Sequence, residues 1–308
     1  MKILLLGKNG QIGSELNSLL INKSEYKIHA ITRKDCDLKD NLKLKKIIQD
    51  FNPDIVINAA AYTNVEEAEN ENNECLAINA EFPKYLANLC NENNIILIHY
   101  STDYVFDGKK ETSYSEKDNV NPINFYGKSK LLGEKYIKNI LTRHIIIRTS
   151  WIYSRHGNNF LKTIAKLSTT KKFLSIIHDQ YGVPTSASFI ADMTTLFLRK
   201  FDININDDIY GTYHITPDGY TNWYNFSKKI IQYLSEHKSI FKISVDNIKA
   251  IETEEYSSKA LRPMYSILDN NKFKLLFSPQ ILEWERYIKP VILEISENIN
   301  NDENPRNT

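Results

Sequence analysis

The first thirteen residues constrain this chain more than any other stretch. After Lys2, Ile3–Leu6 is an unbroken apolar run that passes directly into Gly7-Lys8-Asn9-Gly10-Gln11-Ile12-Gly13, and Lys2–Leu6 is taken together. The run is too short for a signal-peptide core, so it reads as a buried strand. The glycines that follow permit a tight turn into a helix starting at Gln11, and a helix N-terminus can receive a pyrophosphate. The spacing is G-x-x-G-x-x-G rather than G-x-G-x-x-G. A plain strand–helix turn that uses glycine for backbone reasons is the alternative reading.

Strand and helix signals alternate onward from this turn. Strands are predicted at Lys2–Leu6, Lys27–Thr32, Ile55–Asn58, Ile95–Ser101 and Ile145–Arg148. Helices are predicted at Gln11–Leu20, Leu42–Phe51, Ala80–Asn93 and Tyr126–Asn139. Short apolar runs separated by amphipathic helices imply an α/β fold, a Rossmann-type doubly wound parallel sheet covered on both faces. Beyond Trp151 the pattern loosens. Residues 1–150 are expected to bind a dinucleotide and 151–297 to form a smaller, partly interleaved substrate lobe, with 298–308 a frayed tail.

Bulk properties narrow the function classes. The 39 basic and 38 acidic residues leave a net charge of +1, which argues against nucleic acid or a polybasic membrane surface as partner. No apolar run approaches the length of a membrane span. Cys36, Cys75 and Cys90 are scattered, without metal-ligand spacing, as expected of reduced thiols in a cytoplasmic protein.

Chemistry is suggested by Tyr126-Gly127-Lys128-Ser129-Lys130, read with Ser101-Thr102-Asp103. Tyr126 and Lys130, four apart on a helix, share a face. A phenol titrates near pH 10, about three units too high to give up its proton readily at neutrality, and an adjacent cation lowers that value. Thr102 supplies a hydroxyl to the same oxygen. The three form a general acid that can protonate a carbonyl oxygen while a hydride reaches its carbon. With 18 tyrosines in the chain, Y-x-x-x-K alone is a weak signal, and a surface Tyr–Lys contact is the alternative.

Cofactor contacts are expected at Gly7, Gly10, Gln11, Ile12 and Gly13, and at the small turn Ala59-Ala60-Ala61. The second strand ends Ile31-Thr32-Arg33-Lys34, with no acid for a ribose 2′-hydroxyl and two cations for a 2′-phosphate. NADPH is therefore preferred over NADH, the alternative being that Arg33 and Lys34 are solvated loop charges. Asp37 is placed to meet the adenine amine, and Thr32 and Leu38 complete the cofactor set. Trp151, just past the fifth strand, is a candidate for substrate stacking. Arg262 suits a diphosphate. His99 and His178 lack a carboxylate or second His at useful spacing and read as structural. Asn158 and Asn159 read as caps of the helix from Phe160.

With these pieces placed, the chain resembles the extended short-chain dehydrogenase/reductases over nearly its whole length. The resemblance rests on the Gly7–Gly13 loop, Asp54–Thr63, His99–Phe106, Tyr126–Glu134 and Arg148–Tyr153. In the second half, Gly157–Phe160, Asp179–Thr185 and Arg262-Pro263 match. It implies that Tyr126 donates a proton to a sugar C4 oxygen, that Lys130 lowers its pKa and holds the nicotinamide ribose, and that Thr102 tunes the same proton. Thr102, Asp103 and Trp151 would line the sugar pocket, while Tyr104 and Ala59 to Ala61 flank the cofactor. The implied reaction is hydride transfer from NADPH or NADH to C4 of a dTDP-sugar, dTDP-4-dehydro-β-L-rhamnose. Related 4,6-dehydratases carry T-D-E; here Tyr104 follows Thr102-Asp103, so reduction is expected rather than elimination. Some members are described with magnesium at a dimer contact, but Ser188 stands where an acid is expected. No metal is predicted, and the chain is expected to be a monomer or weak homodimer. Two alternatives stay open: reduction of another 4-keto-6-deoxy sugar nucleotide, or a non-catalytic regulatory subunit like that of methionine adenosyltransferase.

Overall fold

Five runs of Ile, Leu and Val form the interior of a parallel sheet. The computed structural model describes residues 1–202, 209–237 and 242–303. In its first half the elements are β1 (Lys2–Leu6), α1 (Gln11–Leu20), β2 (Lys27–Ile31), α2 (Asn41–Phe51), β3 (Ile55–Asn58), α3 (Val65–Ala68), α4 (Asn72–Leu76), α5 (Phe82–Glu92), β4 (Ile96–Thr102), α6 (Phe125–Ile140) and β5 (His144–Thr149). The second half adds β6 (Ile152–Tyr153), α7 (Phe160–Thr170), β7 (Leu174–Ile177), β8 (Tyr181–Gly182), β9 (Thr185–Ser186), α8 (Ala187–Asp202), β10 (Gly211–His214), β11 (Thr221–Asn222), α9 (Trp223–His237), β12 (Ile248–Ile251), α10 (Asn271–Phe277) and α11 (Ile288–Glu303).

The six-stranded sheet has the order β2-β1-β3-β4-β5-β10, and all its pairings are parallel. Alternate residues of each strand serve opposite faces. Ile3, Leu5, Ile55, Ile57, Ile98, Ile145 and Ile147 pack with α1 and α8. Leu4, Leu6, Val56, Leu97 and Ile146 pack with α2, α5 and α6. The strands buried on both faces are continuous apolar runs, whereas the edge strand β2 alternates in exposure. A second core, made by α7, α9 and α11 with Leu174 and Ile248, lies in the second half of the chain. The second half also supplies the edge strand β10 and the helix α8 to the main sheet.

The chain leaves β1 towards β2 on one side and returns to β3 on the other. The carboxyl ends of β1 and β3 therefore diverge into a crevice, the usual ligand position in such sheets. Gly7 stands there with φ +82°, where a Cβ would lie 2.8 Å from the backbone nitrogen of Ala60. At Gly13 a Cβ would collide with the carbonyl oxygen of Gly7. The loop and helix are thus packed backbone to backbone.

Two element boundaries stand out against expectation. The helix predicted from Ala80 is preceded by α4 and a π-helical turn over Ala77–Glu81. Asn79 in that turn bonds the backbone of Tyr62 and the Ser129 hydroxyl, and Gly133 of α6 packs against its carbonyl, so tertiary contacts set the local winding. The last helix runs to Glu303, past Asn298 where the sequence predicts a frayed tail; residues 304–308 lie outside the described residues. Among the described residues no helix is long and apolar enough to cross a membrane. Gly13→Ala is expected to cost about 1–3 kcal/mol in urea denaturation through forced separation of loop and helix. A loss below roughly 0.5 kcal/mol, the range of neutral surface changes, would contradict that close approach.

Candidate active site

Strand parity decides what faces α6. Asn58 and His99 are register partners on β3 and β4 and share the face of Val56 and Leu97, so both point towards α6. Asn124 caps α6 by accepting a hydrogen bond from the Gly127 N–H at 2.8 Å, and its amide donates to the Leu261 carbonyl. Gly127 packs against the Tyr104 carbonyl, where a Cβ would collide. The helix is thereby seated with Tyr126 and Lys130 turned to the carboxyl end of β4.

Two cavities open at that edge. One, of about 510 Å³, is lined by Gly7, Gly10, Gln11, Ile12, Thr32, Arg33, Asp37, Leu38, Ala59, Ala60, Ala61, Tyr126 and Lys130 among others. The other, of about 600 Å³, is lined by Thr102, Asp103, Tyr104, Tyr126, Trp151, Trp223 and Arg262 among others. Gln11, Thr63, Ser101, Tyr126, Ile152 and Asn158 belong to both walls, so the cavities meet at the Tyr126 ring.

Lys130 is fully buried, and its ammonium donates to the Tyr100 carbonyl at 2.6 Å. Burial lowers its pKa to about 8, against an opposing pull from Glu134. Its other neighbour is His99 Nε2 at 3.3 Å. The Ala60 N–H donates to Asn58 Oδ1, which leaves the Asn58 amide N–H facing His99 Nδ1 at 3.0 Å. On this network His99 accepts at Nδ1 and, held neutral by burial and by Lys130, carries its proton on Nε2. His99, read from the sequence as structural, is placed here between Asn58 and Lys130. His178 instead bonds Glu252 at the surface.

Tyr126 carries the phenol at which the two cavities meet. Burial pushes the phenol above its ordinary value, Thr102 opposes this, and Asp103 and Tyr104 add to the rise. Thr102 also donates to Asp103 Oδ1 at 3.0 Å and accepts from the Tyr104 N–H. Asp103 is buried, and desolvation raises its carboxyl to about 7, against hydrogen bonds from Ser266 and Thr102. Below α6, Glu134 and Arg148 form a buried bidentate pair at 2.9 and 2.6 Å. Burial would raise the Glu134 carboxyl, but Arg148 holds it at about 2.

Several assigned residues sit otherwise than expected. Tyr104 lines the second cavity, beside Thr102 and Asp103, rather than the first. Gly13 lines neither and acts through packing. An acid does stand near the end of β2: Asp35 folds back to accept from the Thr32 N–H and hydroxyl, outside the cavity wall. Arg33 lies 3.9 Å from Asp37. Asn159 caps α7, while Asn158 lines both cavities. Trp151 has a left-handed backbone (φ +45°) and stacks on Trp223 with ring centroids 3.5 Å apart. Trp223 and Glu66, which engages Arg262 at 2.5 Å, were not singled out by the sequence; each lies far along the chain from its partner and carries no local signal.

The glycine-lined first cavity fits a dinucleotide, because the backbone approaches closely and side chains are absent where a pyrophosphate must lie. Sheet, crevice and Tyr–Lys pair define an NAD(P)-dependent oxidoreductase of the short-chain dehydrogenase/reductase class. The chain belongs to the family described as RmlD substrate binding domain, whose model matches residues 1–297. It is 35% identical over 291 residues to dTDP-4-dehydrorhamnose reductase of Aggregatibacter actinomycetemcomitans, covering 94% of this chain and 98% of the relative. The same enzyme of Escherichia coli K12 is 35% identical, with 96% and 98% covered. The crystal structure of dTDP-4-dehydrorhamnose reductase from Bacillus anthracis in complex with NADP superposes with a TM-score of 0.86 at 34% identity, covering 95% of this chain and 99% of that one.

The Asp103 environment makes a stability prediction. Between its ordinary value of 3.8 and about 7 the folded protein keeps a proton that the unfolded chain has lost. Stability from this group is complete below pH 3.8 and is lost as pH rises through 7. Asp103→Asn, neutral throughout, should gain on wild type by up to about 1.4 kcal/mol per pH unit across that window and then level off. Urea melts at pH 4, 6 and 8 would show it; a pH-independent difference would contradict the assignment.

Proposed function

We propose that this protein reduces the C4 ketone of dTDP-4-dehydro-β-L-rhamnose to dTDP-β-L-rhamnose with NADPH as hydride donor. The observation that carries the reading is the meeting of a dinucleotide-shaped cavity and a second, aromatic-lined cavity at Tyr126. Reductases of this name match the chain over nearly its full length, and one is known with NADP.

Bound NADPH supplies the hydride that converts the C4 carbonyl carbon to a secondary alcohol carbon. Tyr126 gives its phenolic proton to the carbonyl oxygen, and Thr102 stabilises the resulting phenolate. The burial that raises the free phenol's pKa means that charge must be supplied nearby at the moment of transfer. Lys130, whose pKa burial lowers to about 8, returns a proton to the phenolate. Gly7, Gly10 and the N-terminus of α1 would hold the pyrophosphate, Ala59 to Ala61 would border the nicotinamide half, and Arg33 would meet the 2′-phosphate. Asp103 and Trp151 orient the sugar, and Arg262 faces the diphosphate. Supported by three buried free thiols, we place the reaction in the cytoplasm, carried out by a monomer or weak homodimer.

The test is NADPH oxidation with enzymatically prepared dTDP-4-dehydro-L-rhamnose. Tyr126→Phe should lower kcat by about 10²–10⁴-fold, the usual share of a general acid, with NADPH affinity nearly unchanged. Full activity of this variant would sink the mechanism.

A further inference from the structure

A carboxylate is held at the rim of the second cavity as an anion would be. Glu66, on α3, accepts from the Ser258 hydroxyl at 2.8 Å, the Lys259 N–H at 2.9 Å and the Ala260 N–H at 3.4 Å. The Arg262 guanidinium adds an ion pair at 2.5 Å and also contacts Ser258. Burial alone would raise the Glu66 carboxyl; these donors hold it at about 2. The donors all come from one loop, residues 258–262, exposed at Ser258 and Lys259, buried at Ala260, and tied to the N-terminal half by Glu66 and by Asn124. Val65, Tyr104 and Arg262 line the cavity, so this cluster stands at its mouth. Two consecutive backbone N–H groups, a hydroxyl and a guanidinium suit phosphate oxygens at least as well as a carboxylate. The Glu66 side chain is 40% exposed and has water to swing into.

We propose that loop 258–262 is the seat for the diphosphate of the substrate, and that Glu66 occupies this seat as a placeholder that must leave when substrate enters. This rests on the sugar-nucleotide reading above and extends it from Arg262 alone to a built site with its own internal competitor. Glu66 keeps four donors and the loop in place between turnovers, and its charge opposes any diphosphate that has not displaced it.

The test is calorimetric titration of the NADP⁺-loaded protein with dTDP, thymidine and inorganic pyrophosphate. Glu66→Gln should bind dTDP about 5-fold more tightly than wild type with thymidine unchanged, and Glu66→Ala should shift in the same direction. Arg262→Lys should weaken dTDP by about 10-fold. Equal or weaker dTDP binding by both Glu66 variants would overturn the placeholder and make Glu66 a clamp that merely holds the loop. An equal gain for thymidine would also overturn it. Failure of dTDP to bind either protein, with pyrophosphate still favouring Glu66→Gln, would support the seat and remove the nucleotide reading instead.

Discussion

The site depends on a single buried cation. Lys130 is the point at which α6 meets β4, with its ammonium on the Tyr100 carbonyl and against His99. Burying an ammonium is costly unless its donors are satisfied. Here the cost is met by a strand carbonyl and by the negative charge of Glu134 one helical turn away. Glu134 in turn is fixed by Arg148 on β5. The Lys130 charge is thus anchored to two neighbouring strands, and the Tyr126 ring one turn back along α6 inherits that placement.

Around this anchor the two halves of the chain divide the work. The N-terminal half offers glycine and alanine backbone at the β1–β3 crevice, where bulk would obstruct a dinucleotide. The C-terminal half offers aromatic rings and the 258–262 loop, and reaches back to supply β10 and α8 to the main sheet. The cavities meet where hydride and proton must arrive on adjacent atoms of one carbonyl. Trp151, strained into the left-handed region and stacked on Trp223, stands in the wall of the second cavity.

Much of this was legible in the residues. Strands buried on both faces of a parallel sheet are continuous apolar runs, so Lys2–Leu6, Ile55–Asn58 and the Ile145 run declared themselves. The glycine loop and the Tyr126–Lys130 pair are local, and local spacing is what a sequence displays. What escaped was set by tertiary contact. The π-helical turn at Ala77–Glu81 follows from Asn79 meeting α6, the partnership of His99 with Lys130 from strand parity, and the hold of Glu66 on Arg262 from a contact 196 positions apart. The turn of the Asp35 carboxylate back onto Thr32 and the place of Tyr104 in the wall of the second cavity are likewise set by the folded loops.

The central claim is that hydride and proton converge on one ketone at Tyr126. It is tested most directly by single-turnover reaction of dTDP-4-dehydro-L-rhamnose with NADPH deuterated at nicotinamide C4, the product being read by NMR. The account predicts one deuterium bonded to sugar C4 in dTDP-L-rhamnose and an oxidised cofactor in equal amount. Cofactor that binds tightly but transfers no deuterium to C4 would contradict it.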